Sequence, residues 1–333
     1  MNKNKLLIVA CLVLGACSQK PSELSEYKLS GLVMGTSWHA TCLSQDEVQQ
    51  QTVSTALDEV DALMSTYKND SEISLFNQSS TGAEMSPISV YVIEVAVGIS
   101  EKSDGAFDPT VMPLVDIWGF GPGKGDASIP DAKRIADVMQ HCGWQHLLLD
   151  NESFFVGKRI PELEIDLSAI AKGFGADHAA RALELKGIDN YMIEVGGEIR
   201  VKGQSIHARP WRLAIDSPNE ADYTRIIELS SGAIATSGDY RNTRMLDGKL
   251  FSHTIDPRSG YPVKNNLASV SIVATNCTIA DAMATTCMVL GAEDGMRLVE
   301  SMPDVEAYFI RRLSTDVFSI TASSGFPPAL NLD

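Results

Sequence analysis

Asp281 and Thr285 stand four residues apart in the run TIADAMATTCMVLG near the C-terminus. On a helix that spacing puts both side chains on one face, with Cβ atoms about 5–6 Å apart. A carboxylate and a hydroxyl so placed are hard oxygen donors of the kind Mg²⁺ takes, and a helix N-terminus adds partial positive charge for phosphate oxygens. The same residues also read as a helix start, with Thr278 as N-cap and Asp281 three positions on, a capping-box variant that needs no metal.

Other segments hold more polar and glycine residues than folding requires. In EIDLSAIAKGFGADH, Asp166 closes a strand and Ser168 or Ala169 opens a helix that contains Lys172. Such a turn aims free N–H groups at whatever lies above it, and the lysine can reach a phosphate or carbonyl. An N-cap aspartate and a solvated helix lysine would give the same residues. Gly196-Gly197 in IEVGGEI permits either a tight hairpin turn or close approach to a ligand, and Ser237-Gly238 in IATSGDY repeats the pattern. His253 precedes a turn stiffened by Pro257, Gly260 and Pro262. A lone histidine there is open to a structural or a catalytic reading.

The elements that must position these residues follow from periodicity. Helical spacing covers Glu47–Ser65, Pro87–Ser103, Pro130–Cys142, Ala169–Lys186 and Ile279–Leu290. Strand-like runs cover Trp38–Leu43, His146–Leu149, Tyr191–Val195, Trp211–Ile215, Ile226–Leu229, Ala233–Ser237 and Leu267–Ala274. Helices cluster early and strands late, which predicts an α+β fold. Gly119–Ile129 is glycine-rich and reads as a loop or lid. About 300 residues of a chain that is 44% hydrophobic can bury a sizeable core.

Lys3 and Lys5, the apolar run Leu6–Leu14 and the ending Leu14-Gly15-Ala16-Cys17 read as an export signal, too short to span a bilayer. The LGAC ending resembles a bacterial lipobox, so residues 1–16 are expected to be cleaved and Cys17 lipidated. Residues 17–27 then read as a tether, and 28–325 as the folded domain. The mature chain would be anchored to a membrane without crossing it. Processing removes two lysines and no acids, moving the net charge from −16 to −18. That charge excludes a nucleic-acid partner, whose binding rests on Lys and Arg at phosphates. A phosphate-bearing substrate would need a cation and local lysines. Four cysteines remain, Cys42, Cys142, Cys277 and Cys287, with no metal-binding spacing and no pairing fixed by the sequence.

Eight segments in one order resemble the ApbE family of FAD:protein FMN transferases. They are MGTSW at Met34–Trp38, STYKNDSEISLFN at Ser65–Asn77, DGAFDPTVMPLVDIWGFG at Asp104–Gly121, DLSAIAKG at Asp166–Gly173, EVGGE at Glu194–Glu198, ATSGDYR at Ala235–Arg241, HTIDPRSGYP at His253–Pro262 and ADAMATT at Ala280–Thr286. The likeness runs from about Leu29 to about Tyr308. It implies an ApbE-like fold of mixed or antiparallel sheets with helices in two intimately packed subdomains. It also implies flavin contacts at Met34, Tyr67, Ala106, Phe107, Asp108, Asp166, Lys172 and Ile255. Its implied metal ligands are Asp281, Thr285 and the backbone carbonyl of Ala169. Some relatives have an acid at the position of Ala284, which this chain lacks as a ligand for a second cation, and the number of ions, one or two, stays open.

The implied reaction splits FAD, as substrate, at its pyrophosphate. A threonine hydroxyl of an acceptor protein attacks the FMN-side phosphorus and AMP leaves. Mg²⁺ would offset the developing charge and His253 would take the proton, with Asp256 or Asp281 as alternatives. Family acceptors are subunits of membrane ion-pumping redox complexes, which places the enzyme on the periplasmic side of the inner membrane, while Ser18 after the lipid cysteine points to outer-membrane sorting. Two rival readings share these residues: an FAD pyrophosphatase that uses water, and a flavin-binding lipoprotein without catalysis. The anchor is tested by Cys17→Ser, expected to move the protein from the membrane fraction to the soluble fraction with FAD binding intact. Membrane retention of that variant would refute lipidation at Cys17.

Overall fold

The computed structural model describes residues 24–121, 128–218, 223–239, 243–246, 249–314 and 316–330. The expected signal peptide, Cys17 and part of the Gly119–Ile129 loop lie outside these residues. Its frame is an eight-stranded sheet in the order Ser25–Val33, Thr36–Ser44, Asn190–Val195, Glu198–Lys202, Ser231–Gly238, Leu267–Ala274, Val305–Ser314 and Val317–Ala322. Every neighbouring pair is antiparallel. The fold is α+β, as the distribution of periodicities predicts.

Two layers cover this sheet, and strand alternation assigns residues to each. Ala233, Ala235, Val270, Ile272, Ala307 and Phe309 join the large core under the helices. Their neighbours Ile234, Val273, Tyr308 and Ile310 point the other way, against the ribbon formed by Trp211–Asp216 and Tyr223–Leu229. This explains why Leu267–Ala274 is buried at every position: both faces of a central strand are covered, so its sequence reads as a continuous apolar run. The helix Cys277–Glu300 lies on that strand and on Ser231–Gly238, with Ala171–Glu184 beside it and Gln50–Met64 beyond. A third, smaller cluster holds Leu114, Ile117, Trp118, Ile135, Leu246 and Ile255. Trp118 donates its indole N–H to the Gly260 carbonyl at 2.9 Å, fastening the His253–Pro262 turn to the Met112–Ile117 helix.

Several elements differ from their sequence-predicted bounds. The first strand begins at Ser25, inside the stretch read as tether, and pairs along its whole length with Thr36–Ser44. The predicted helix Ile279–Leu290 starts at Cys277 and runs to Glu300 across a break at Gly291, whose φ of 78° ends the helical path. The Thr278 capping box is not formed. Asn276 is the N-cap, its side chain accepting from Ile279 N–H at 2.9 Å, while the Thr278 hydroxyl donates to Asp177. The strands Glu198–Lys202, Val305–Ser314 and Val317–Ala322 also form, although no periodicity marked them. All four described cysteines are free thiols. Among the described residues no helix is long and apolar enough to cross a membrane.

The two central helices touch at Gly173. A Cβ built there would lie 2.2 Å from the Cys277 carbonyl oxygen and 2.7 Å from Asp281 Cβ. Neither neighbour is a flexible chain end, so the helices must separate to admit a methyl group. Gly98 occupies the helix Pro87–Lys102 and would meet no atom within 4 Å. Identical substitutions should therefore act in opposite directions. Gly173→Ala is expected to cost about 1–3 kcal/mol by overpacking, whereas Gly98→Ala should gain about 0.5–1 kcal/mol from helix propensity. Denaturant melts of the two variants check this, and a stable Gly173→Ala protein would contradict the close approach.

Candidate functional site

The contact at Gly173 has a polar half. Asp281 is 2% exposed and sits one turn into its helix, so only a partner from outside can satisfy it. Its Oδ2 accepts from the Gly173 N–H at 2.9 Å. The helix that carries Lys172 starts at Ala171 with Ile170 as its N-cap, later than the Ser168 or Ala169 start the sequence suggests. Gly173 is its third residue, so its N–H has no partner within the helix and Asp281 supplies one. Asp281 Oδ1 lies 3.6 Å from Lys172 Nζ, and the lysine instead donates to Glu198 Oε1 at 2.6 Å. Glu198 is 5% exposed and its Oε2 is buried with no hydrogen-bond partner.

Backbone geometry brings Glu198 to this point. Val195 and Glu198 pair across the two-residue turn Gly196-Gly197, both glycines at positive φ, 62° and 105°. Positive φ at both central positions is the hairpin conformation that glycine adopts without strain. Gly196 serves a second purpose, because a Cβ there would fall 2.8 Å from Thr36 Cγ2 and 3.2 Å from Lys172 Cδ. The lysine stem thus passes over bare backbone. Met34, at φ 49° in the turn of the first hairpin, brings its methyl group against Gly175 of the Lys172 helix.

Electrostatics follow from two buried carboxylates around one ammonium. Burial draws the Lys172 pKa down, but Asp281 and Glu198 outweigh it and hold the ammonium above its usual range. Burial together with repulsion from Asp281 pushes Glu198 up to about 8, despite the lysine. A pocket with an excess of buried carboxylate takes up either a proton or a cation. Asp177 stands apart as structural support. Its carboxylate accepts from the Cys277 and Thr278 N–H groups and the Thr278 hydroxyl at 2.7–2.9 Å, closing the exposed donors at that helix start.

The remaining predicted residues occupy several loops. Thr285 is one turn past Asp281, and its hydroxyl is 3.4 Å from that of Ser237. Asp166 accepts from the Ser168 N–H at 2.8 Å, and its own N–H donates to the Pro109 carbonyl, joining it to the Ala106–Asp108 segment. Ala106 and Phe107 are buried there. Asp108 is turned inward: one oxygen accepts from the Thr110 N–H and hydroxyl and the other from Trp144 N–H. Burial raises its pKa against those bonds. Tyr67 is 71% exposed in the turn before the helix Glu72–Gln78, so its ring is available for stacking. Ile255 is buried and pairs with Pro262. His253 is partly buried between two short strands, with its ring edge-on to Phe120 at 6.5 Å.

Glu198 and Gly173 are the site residues whose roles sequence reasoning missed. The available signal was an acidic residue directly after Gly-Gly at the start of a strand, a position that buries a charge and so demands a partner. Glu198 also gives a pH test. It titrates at about 8 when folded, against an ordinary 4.5. Between those values the folded chain holds a proton that the unfolded chain has lost, so stability falls as pH rises through the window. Glu198→Gln cannot titrate. In metal-free buffer its melting temperature relative to the parent should rise from about pH 5 to about pH 8 and then level off. A constant difference across that range would show that Glu198 keeps an ordinary pKa.

Comparison with known proteins bears on this arrangement. The model of the ApbE family matches residues 34–309. An FAD:protein FMN transferase of Vibrio cholerae is 39% identical, covering 99% of each chain, and that of Escherichia coli K12 is 37% identical, covering 88% of each. The solved flavin transferase ApbE from Vibrio cholerae superposes with a TM-score of 0.83 at 38% identity, over 92% of this chain and 100% of its own. The apo form of the Pseudomonas stutzeri flavinyl transferase gives 0.82 at 32% identity, over 92% and 98%.

Proposed function

The chain belongs to the ApbE family and is a transferase that moves FMN from FAD to acceptor proteins, and we propose that it does so with Mg²⁺ at Asp281 and with a threonine hydroxyl as acceptor. The observation that carries the metal assignment is the bond from the Gly173 N–H to Asp281. It satisfies one oxygen of that buried carboxylate and leaves Oδ1, 3.6 Å from Lys172 Nζ, for the cation, with the Thr285 hydroxyl one turn on and the Ala169 carbonyl proposed as the other hard donors. Among the described residues no three His, Cys, Asp or Glu side chains form a metal-binding group. One carboxylate, one hydroxyl and one carbonyl suit Mg²⁺ nonetheless, because it keeps waters and substrate phosphate oxygens in its shell.

When bound, Mg²⁺ would supply charge neutralisation at the pyrophosphate of FAD. The protein residues do the rest. Lys172 places a permanent positive charge beside the phosphates, while Tyr67, Met34, Ile255 and the Ala106–Phe107 backbone hold the flavin. Asp166 and Asp108 fix the turns that flank it, the latter through bonds already made within the protein. The acceptor oxygen forms a bond to the FMN-side phosphorus as the bond from that phosphorus to the bridging oxygen breaks, and AMP leaves with the bridging oxygen. His253 accepts the threonine proton. Asp256 is less suited to that role, since Arg258 binds both its oxygens at 2.9 and 3.0 Å, and Asp281 already serves Gly173. Lipidation at Cys17 would tether the enzyme on the periplasmic side of the inner membrane, where acceptor subunits of ion-pumping redox complexes lie.

Incubation with FAD, Mg²⁺ and a threonine-bearing acceptor domain should add the mass of FMN to the acceptor and none to its Thr→Ala variant. Free FMN with an unmodified acceptor would instead indicate a pyrophosphatase. His253→Ala should lower the transfer rate about 10²–10⁴-fold at unchanged FAD affinity and remove the loss of rate at acid pH, where a protonated imidazole cannot accept a proton. An unaltered rate and pH profile would exclude His253 as the base.

A further inference from the structure

Lys172 has two carboxylates within reach and uses them unequally. Its Nζ is 2.6 Å from Glu198 Oε1 and 3.6 Å from Asp281 Oδ1, the second beyond hydrogen-bond range. Both acids are almost fully buried, and both aim at the same ammonium. The Gly173 N–H occupies only the other oxygen of Asp281. The bare backbone at Gly196 lets the lysine stem lean toward the hairpin that carries Glu198.

We infer that Glu198 is a positioning residue: it holds the Lys172 ammonium away from Asp281 Oδ1 and thereby keeps that oxygen open for the cation. The inference rests on the reading of Asp281 as a cation ligand. Without Glu198, the lysine makes a direct, charge-assisted hydrogen bond with Asp281, and such bonds to ionised partners are among the strongest available to a side chain. An entering cation must then displace the ammonium. With Glu198 in place, the lysine stays charged and close, free to meet a phosphate, while the ligand oxygen remains exposed to the metal. One carboxylate is spent on geometry so that the other can bind. This also accounts for a buried carboxylate in a site whose metal chemistry asks for only one. It accounts too for the unpartnered Glu198 Oε2: one oxygen suffices to hold the lysine, and the side chain is placed for reach rather than for full satisfaction.

The test is the affinity of the metal-free protein for Mg²⁺, measured by calorimetric titration at about pH 8.5, with melting curves to show that each variant folds. Glu198→Gln should weaken Mg²⁺ binding about tenfold or more, a change of about 1.4 kcal/mol or more. Lys172→Met removes the competitor and should bind Mg²⁺ at least as tightly as the parent. The double variant Glu198→Gln/Lys172→Met should return to the Lys172→Met affinity, because Glu198 acts only through the lysine. Parent-like affinity in Glu198→Gln, or equal weakening in Glu198→Gln and the double variant, would overturn the inference. Asp281→Asn separates it from its premise. If that variant binds Mg²⁺ like the parent, or if the parent binds none, the metal assignment fails and the inference goes with it. If Asp281→Asn loses binding while Glu198→Gln keeps it, only the role of Glu198 is refuted.

Discussion

The hydrogen bond from Gly173 N–H to Asp281 Oδ2 is the contact on which the site depends. It exists because position 173 carries no side chain, which lets two helices approach until a backbone N–H of one reaches a carboxylate of the other. Two consequences follow from that single approach. One oxygen of a buried acid is satisfied by a helix-start N–H, and Lys172, the preceding residue, is brought beside Asp281. The sheet beneath serves the same end. Small residues at Ala233 and Ala235, facing the large core, allow the Cys277–Glu300 helix to lie close to its strands, and helix packing distances are set by the side chains at the contact.

Around this contact the molecule concentrates charge that its interior would otherwise exclude. Two carboxylates and a lysine share one buried pocket in a chain of net charge −16. Such an arrangement is costly unless each charge is paired, and here the pairing is incomplete by one carboxylate. On the proposed function, a cation that corrects this imbalance would also be the one that meets the phosphates. The other flavin-contact candidates stand on loops fixed by local bonds, such as the inward-turned Asp108 and the Trp118–Gly260 link. The cluster is therefore carried on helices and a hairpin, while the flavin-contact candidates sit on turns and short strands around it.

How much of this was legible in the sequence depended on the range of the interaction. Asp281 and Thr285 share a helix face by spacing alone, and the structure places them one turn apart on the Cys277–Glu300 helix. Whether Asp281 caps its helix was not decidable locally, because the competing cap, Asn276, lies outside the motif and the deciding partner, Gly173, is 108 residues away. Glu198 escaped notice for the same reason: its burial makes sense only beside Lys172, 26 residues earlier on another element. The central strand Leu267–Ala274 announced itself because it is covered on both faces. The edge strand Ser25–Val33 is half exposed, and its first residues, Ser25 to Tyr27, read as the end of a linker. Gly291 marks where a helix breaks and continues, which periodicity reads as an end.

The central claim is that Asp281, Thr285 and the Ala169 carbonyl converge on one hard cation. Crystals of the protein grown with FAD and Mn²⁺ in place of Mg²⁺, with diffraction collected at the manganese absorption edge, would locate that ion directly. The account predicts one anomalous peak at coordination distance, about 2.0–2.2 Å, from Asp281 Oδ1, the Thr285 hydroxyl and the Ala169 carbonyl oxygen, with Lys172 still on Glu198. A peak bound elsewhere, or Lys172 seated on Asp281 Oδ1 in the metal-loaded crystal, would contradict it.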